Sequence, residues 1–257
     1  MKNRNSRHDV KQNEGIRINR FLAQCGLCSR RVADAWLAEG RVSINGRIIK
    51  QPGARVGAGD RVCVDGVPVT PRTQYTYIMY NKPRGLICSR KDARGRPLIY
   101  DQLDVPPNVQ SVGRLDMDTE GLLLLTDDGE LARLLTSPGM RLPREYRARV
   151  HGHLTLEELA MLRRGGLDIG QGESSDPWEV IVDAESGSHS WLTLTIRRGR
   201  WREVRRTLES LGHPVRRLIR TRFGPLRLDP DMPRNAWRPL TRKEIRQLKR
   251  IVRQRGA

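Results

Sequence analysis

The stretch that most restricts the fold is Gly113-Arg114-Leu115-Asp116-Met117-Asp118-Thr119-Glu120-Gly121, followed at once by Leu122-Leu123-Leu124-Leu125-Thr126. The leucine run reads as a buried strand. The charged segment before it, flanked by glycines, reads as a loop between two strands, and a packed strand behind would hold that loop rigid. Arg114 stands two positions ahead of Asp116 in the loop. By residue type alone, Asp116 suits a nucleophile, a general base, a metal ligand or a turn residue.

Strand patterns outnumber helical ones around this loop. Residues 75–80, 110–112, 145–150, 178–182, 191–196 and 215–220 read as strands, the fifth alternating cleanly with Leu192, Leu194 and Ile196 on one face. Helices are expected near 130–135 and 202–211. Thr241 and Glu244 form a capping box that opens a last helix. In the N-terminal quarter, Ile18, Phe21 and Leu22 mark a short helix ended by Gly26. Ser29 caps a second helix to about 38, with Val32, Ala35 and Trp36 as its apolar stripe. Residues 41–49 read as a hairpin turned by Asn45-Gly46, 61–64 as a strand and 65–75 as a linker. Strands that follow one another directly argue for an α+β fold with a largely antiparallel sheet. The expected division is a disordered basic arm over 1–15, a small domain over 16–73 and a larger one over 74–253.

Charge narrows the partner. The 257 residues carry 48 Lys and Arg against 29 Asp and Glu, a net +19. The excess is uneven: +8 over residues 1–73, −4 over 74–187 and +15 over 188–257. Such basic surfaces bind polyanions by releasing condensed counterions, which makes nucleic acid the leading partner. No run is long and apolar enough for a membrane span, and residues 1–14 lack the apolar core of a signal peptide. Four cysteines without regular spacing fit a reducing cytoplasm. Cys25 and Cys28 have the spacing of half a zinc site, but small residues packing a short helix explain them better. His151-Gly152-His153 reads as a strand end, and Asp127-Asp128-Gly129 as a turn into a helix rather than a Mg²⁺ site with Asp116 and Asp118.

Two resemblances follow from these residues. Segment 16–49, with R-I-N-R-F-L, C-S-R-R and G-R-V-S-I-N-G, resembles the S4 RNA-binding domain. It offers Arg17, Arg20, Arg30, Arg31, Arg41 and Arg47 to RNA, with Arg30 and Arg31 at a helix N-terminus that favours phosphate. The segment 113–126 is similar to the active-site motif of bacterial ribosomal-RNA pseudouridine synthases of the RsuA/RluB branch. Asn81-Lys82-Pro83-Arg84-Gly85, Arg144-Glu145-Tyr146 and 199–206 match further elements of that family in order and spacing, and the likeness runs from 16 to 252. The C-terminal part looks most like the RluB subgroup, which acts on large-subunit rRNA. Two positions depart from the family pattern: Trp201 stands for a usual Asn, and Arg144 for a usual Lys.

The resemblance implies an S4-type domain linked to a catalytic domain with a mixed sheet flanked by helices. It implies that a uridine of 23S rather than 16S rRNA, free or in a subunit-assembly intermediate, becomes pseudouridine without cofactor or metal. The enzyme would be a cytoplasmic monomer. Asp116 would be the essential carboxylate, Arg205 the cation that offsets its desolvation, and Tyr146 the ring stacked on uracil. Arg114 would fill the gap left by the flipped nucleotide, while Lys82, Arg202 and Arg206 would contact RNA. The competing class is a non-catalytic RNA-binding or assembly protein with the same basic surface.

Overall fold

The computed structural model describes residues 15–255, so the expected arm lies, Gly15 aside, outside the described residues. The chain divides into two compact units between Tyr75 and Thr76.

The first unit contains β1 (Ile16–Arg17), α1 (Ile18–Gln24), α2 (Arg30–Ala38), β2 (Val42–Ile44), β3 (Arg47–Ile48), β4 (Arg55–Val56), β5 (Val62–Val64) and β6 (Val67–Pro68). Strand β1 pairs with β4, and β3-β2-β5-β6 form an antiparallel sheet. Ser29 caps α2 by accepting from Val32 N at 3.3 Å. The expected stripe is corrected by one position. Ala33 and Leu37 are the residues buried with Ile18 and Leu22, whereas Val32 and Ala35 face solvent and Trp36 is half-buried. A small Ala33 suits close packing of α2 in this core, and the Trp36 indole lies at its edge under the Arg41 guanidinium, 4.8 Å away. The expected linker also begins too early. Asp65 and Gly66 take φ of 49° and 80°, the positive pair of a tight hairpin turn, so β6 folds back on β5.

The second unit contains β7 (Tyr77–Lys82), β8 (Gln110–Ser111), β9 (Thr119–Thr126), α3 (Gly129–Thr136), β10 (Arg144–His151), α4 (Leu156–Arg164), β11 (Glu179–Ser186), β12 (His189–Ile196), α5 (Glu203–Ser210), β13 (Val215–Phe223), β14 (Leu226–Arg227), β15 (Trp237–Pro239) and α6 (Arg242–Arg255). Its sheet runs β11-β12-β10-β13-β9-β7-β15, with β8 on β9 and β14 on β13. Every pairing is antiparallel except β13 with β9. The leucine run is the middle of β9, and all eight residues of that strand are buried. Leu123 and Leu125 join Tyr146, Leu192, Leu194 and Leu218 in the main core. Gly121 is required beside β13: at φ 102°, a Cβ there would lie 2.3 Å from the Arg220 carbonyl oxygen.

Side chains alternate across the sheet, so neighbouring residues of β9, β10 and β13 serve opposite faces. Thr119, Tyr146, Leu218 and Arg220 line a cavity on one face. Glu120, Glu145, Arg147 and Arg217 line a groove on the other.

Candidate active site

The front cavity has a volume of about 330 Å³, with Asp116, Tyr146, Leu218 and Arg220 in its walls. Its most constrained part is the loop ahead of β9. Thr119 N donates to Asp116 O at 3.0 Å, closing a tight turn, and Gly85 N donates to Met117 O at 2.7 Å. Cys88 Sγ donates to Leu115 O at 3.3 Å, and burial pushes its thiol above the ordinary range, which keeps it a donor. The loop is fixed from three sides, so the Asp116 carboxylate projects from a rigid base.

Lys82 supplies the strongest of these ties and corrects an expectation. It makes no outward reach to RNA. Its side chain is 0% exposed, and Nζ donates to the carbonyls of Pro83 (3.0 Å), Asp116 (3.2 Å) and Thr119 (3.0 Å). Desolvation lowers its pKa, with nearby acids such as Asp116 opposing the shift. Lys82 therefore positions the loop.

The cations around the carboxylates are arranged differently from expectation as well. Arg205 is buried, and its Nη2 meets the Asp118 carboxylate at 3.2 Å and Asp118 O at 3.0 Å, while Nη1 donates to Val215 O at 2.9 Å. No ion pair within 4.0 Å links Arg205 to Asp116 among the described residues. Burial lowers the Arg205 pKa, and Asp118 is the main opposing charge. Arg202, expected on RNA, is the guanidinium beside Asp116: its Nη1 lies 4.0 Å from Asp116 Oδ2 and 3.2 Å from Asp118 Oδ1. Arg202 sits ahead of α5 in the left-handed region, with φ 48°. Asp118 thus holds α5 to the loop, and the Asp116 carboxylate, 36% exposed, stays open to the cavity.

Tyr146 is buried on β10 and faces Arg220 of β13 in register. Arg114 is exposed at the rim. Arg206 is withdrawn from the expected RNA contact: Nη2 pairs with Glu173, Nη1 donates to Ile169 O at 3.1 Å, and the guanidinium lies 5.5 Å from the Trp201 ring. Trp201 itself is 58% exposed in the cavity wall. Arg220 and Phe223 also line the cavity and were not among the candidate residues. Arg220 was findable, since it shares strand phase with inward-facing Leu218.

In the first unit Arg17, Arg30, Arg31 and Arg47 are exposed, and Arg20 is half-buried. Arg41 is committed within that unit: Nε and Nη2 fork onto Asp65 at 3.0 and 2.7 Å. Burial pushes the Cys25 thiol up to about 11, so it packs as a neutral group. Asp128 caps α3 by accepting from Leu131 N at 3.0 Å, and Asp127 accepts from Thr76 N at 2.6 Å, consistent with a turn. Among the described residues no group of three His, Cys, Asp or Glu is placed to hold a metal ion.

Comparison with known proteins places this geometry. Residues 76–210 match the RNA pseudouridylate synthase family, and residues 16–62 match the S4 domain. The ribosomal large subunit pseudouridine synthase B of Pseudomonas aeruginosa is 39% identical over 90% of this chain, which spans 61% of that relative's length. An uncharacterized RNA pseudouridine synthase of Mycobacterium leprae is 38% identical, covering 95% of this chain and 98% of its own. The crystal structure of a pseudouridylate synthase, 32% identical, superposes with a TM-score of 0.66 over 91% of this chain and all of its own. With its catalytic-domain match, its S4 domain and a relative alike over nearly the full length of both chains, the protein belongs to the RNA pseudouridylate synthase family.

Proposed function

We propose that this protein converts a specific uridine of 23S rRNA to pseudouridine in the cytoplasm, as a member of the RluB subgroup. The observation that carries the reading is the Asp116 carboxylate, projecting from a loop clamped by Lys82, Gly85 and Cys88 into a cavity with Tyr146 in its wall. The large-subunit assignment draws on the C-terminal likeness and on the name of the Pseudomonas aeruginosa relative.

The reaction moves uracil from an N1 link to a C5 link on the same ribose, so it consumes no other molecule. The base must leave its stack to reach the cavity. Asp116 attacks or deprotonates to open the glycosidic bond, with Arg202 4.0 Å from its carboxylate. Arg205 fixes Asp118 and α5 against the loop, and so acts on Asp116 through the backbone. Tyr146 stacks on the freed base, and Arg114 at the rim fills the space it vacates. The exposed arginines of the S4 domain hold flanking RNA.

The test is pseudouridine mapping by carbodiimide-dependent primer extension on 23S and 16S rRNA from cells with the gene, without it, and carrying Asp116→Asn. One 23S site should be lost in the deletion and in Asp116→Asn, while purified Asp116→Asn still binds RNA. A site in 16S rRNA would overturn the large-subunit assignment. Full modification by Asp116→Asn would overturn the catalytic one.

A further inference from the structure

Arg220 lies in the cavity wall with no acidic partner. It is 3% exposed, and its Nε donates to Leu122 O at 2.8 Å. Its Nη2 is shielded from solvent and has no hydrogen bond among the described residues, and no carboxylate comes within 4.0 Å of the guanidinium. Burying a charge without a partner is strongly unfavourable, and folded proteins generally avoid it. The other buried arginine of the cavity, Arg205, has Asp118.

A second cation on the same ring makes the contrast sharper. Arg144 lines the same cavity and bonds only the carbonyls of Leu142 (3.0 Å) and Arg197 (3.3 Å). Both guanidiniums lie near the Phe223 ring, Arg220 at 5.0 Å and Arg144 at 5.6 Å. Burial lowers the Arg144 pKa; Tyr146 opposes that shift, and the like charge of Arg220 adds to it. Two cations thus share one aromatic ring, which compensates them only in part. Tyr146, Ile196, Val204 and Leu218 add apolar surface to a wall that also carries Asp116, Arg202 and Arg205. Those apolar groups, with the Phe223 ring, suit the flat face of a base.

We propose that Arg220 is a catalytic residue whose guanidinium donates to a carbonyl oxygen of the flipped uracil and stabilises the negative charge gathered there. The proposal rests on the pseudouridine synthase reading. When the N1–C1′ bond breaks, its electron pair stays with the ring and spreads onto O2 and O4. It returns to carbon as C5 joins C1′, the C5 proton leaves, and N1 takes up a proton. A fixed buried donor at O2 or O4 is already oriented for that charge, so it favours the transition state over bound substrate.

The test uses a synthetic stem-loop around the mapped uridine, tritiated at C5, with that uridine carrying oxygen at both positions, sulfur at O2 or sulfur at O4. Sulfur is a poor acceptor, so a charged hydrogen bond to one oxygen makes that substitution costly. Single-turnover tritium release by the wild-type protein should fall about tenfold with one of the two sulfurs. Arg220→Gln should be about 100-fold slower on the oxygen substrate, with RNA affinity little changed, and indifferent to the same sulfur. Should Arg220→Gln fail to fold by circular dichroism, Arg220→Lys carries the comparison, with a reduced sulfur penalty expected. A wild-type protein insensitive to both sulfurs, or a folded variant with the full wild-type penalty, overturns the proposal. Wild-type protein that releases no tritium from the oxygen substrate counts instead against the pseudouridine synthase reading.

Discussion

The two faces of the central sheet draw on the same strands, yet only one of them leaves arginines without an acid. In the back groove all four lining arginines have a carboxylate within 4.0 Å. Arg217 forks onto Glu120 at 2.9 Å and Arg234 reaches the same group at 3.2 Å, while Arg227 meets Glu145 and Arg147 meets Asp183, each at 3.6 Å. In the front cavity Arg200, Arg202 and Arg205 are paired as well, but Arg114, Arg144 and Arg220 have no such carboxylate among the described residues. Residues 188–257 carry a net +15, and both sets draw on that region. Net charge therefore marks the partner class, and the state of pairing marks where function lies. Paired arginines join strands and loops, whereas arginines left unpaired at the cavity are free to meet a ligand.

The sharpest challenge to this contrast is Lys82→Met. The substitution leaves the front arginines in place but removes the donor shared by three carbonyls beneath Asp116. A small displacement of a reacting group costs about 100-fold in rate, so we expect kcat to fall by about that factor while RNA affinity holds. Stability should drop by about 1–3 kcal/mol from the unsatisfied carbonyls. Unchanged kcat in a folded Lys82→Met protein would mean the loop needs no clamp. On the back face Glu120→Gln should do the reverse. It strips the shared acid from Arg217 and Arg234, lowering stability by about 1–2 kcal/mol because both arginines are partly solvated. Turnover below the melting transition should stay at the wild-type level. A large kcat loss without destabilisation would show that the two faces are not separable.

What could be read from the sequence was local. The Asp116 loop and β9 were legible because glycines bound the loop and four leucines cannot be left in water. The hairpin at Asn45-Gly46 was legible because few residues accept two positive φ angles. Helix α4 was missed although Thr155 and Glu158 form the same capping box that revealed α6. Leu156, 85% exposed, spoils its apolar pattern. The errors in the site are non-local. A lysine beside proline reads as a surface cation, since lysine is rarely buried, and no neighbour of Lys82 announces that the carbonyl of Thr119 will converge on it. Spacing likewise could not tell whether Arg205 would meet Asp116 or Asp118. That choice depends on how α5 docks on the loop, and pairing on the back face depends on strands up to 97 positions apart.

The smallest expected effect also lies among the paired arginines and can be isolated by pH. Arg238 of β15 donates through Nη1 and Nη2 to Glu244 at 2.9 and 2.8 Å, and Thr241 N donates to the same carboxylate at 2.7 Å. The Arg238 hydrogen bond, more than any other cause, brings the Glu244 pKa down to about 2 from 4.5, so the folded protein binds this proton less readily than the unfolded chain. A depressed carboxylate pKa stabilises the fold above pH 4.5, and that contribution is lost as pH falls from 4.5 toward 2. Arg238 is 37% exposed, and solvent screening holds the contribution to about 1 kcal/mol. Urea unfolding from pH 6 to pH 3 should show wild type more stable than Glu244→Gln at the top of the range, with the gap narrowing steadily below pH 4.5. Tritium release at neutral pH should not distinguish the two proteins, because this ion pair ties α6 to β15 and takes no part in the cavity. A gap that persists undiminished at pH 3 would assign the stabilisation to packing, and Arg238 would then leave the set of arginines whose role is set by their acid.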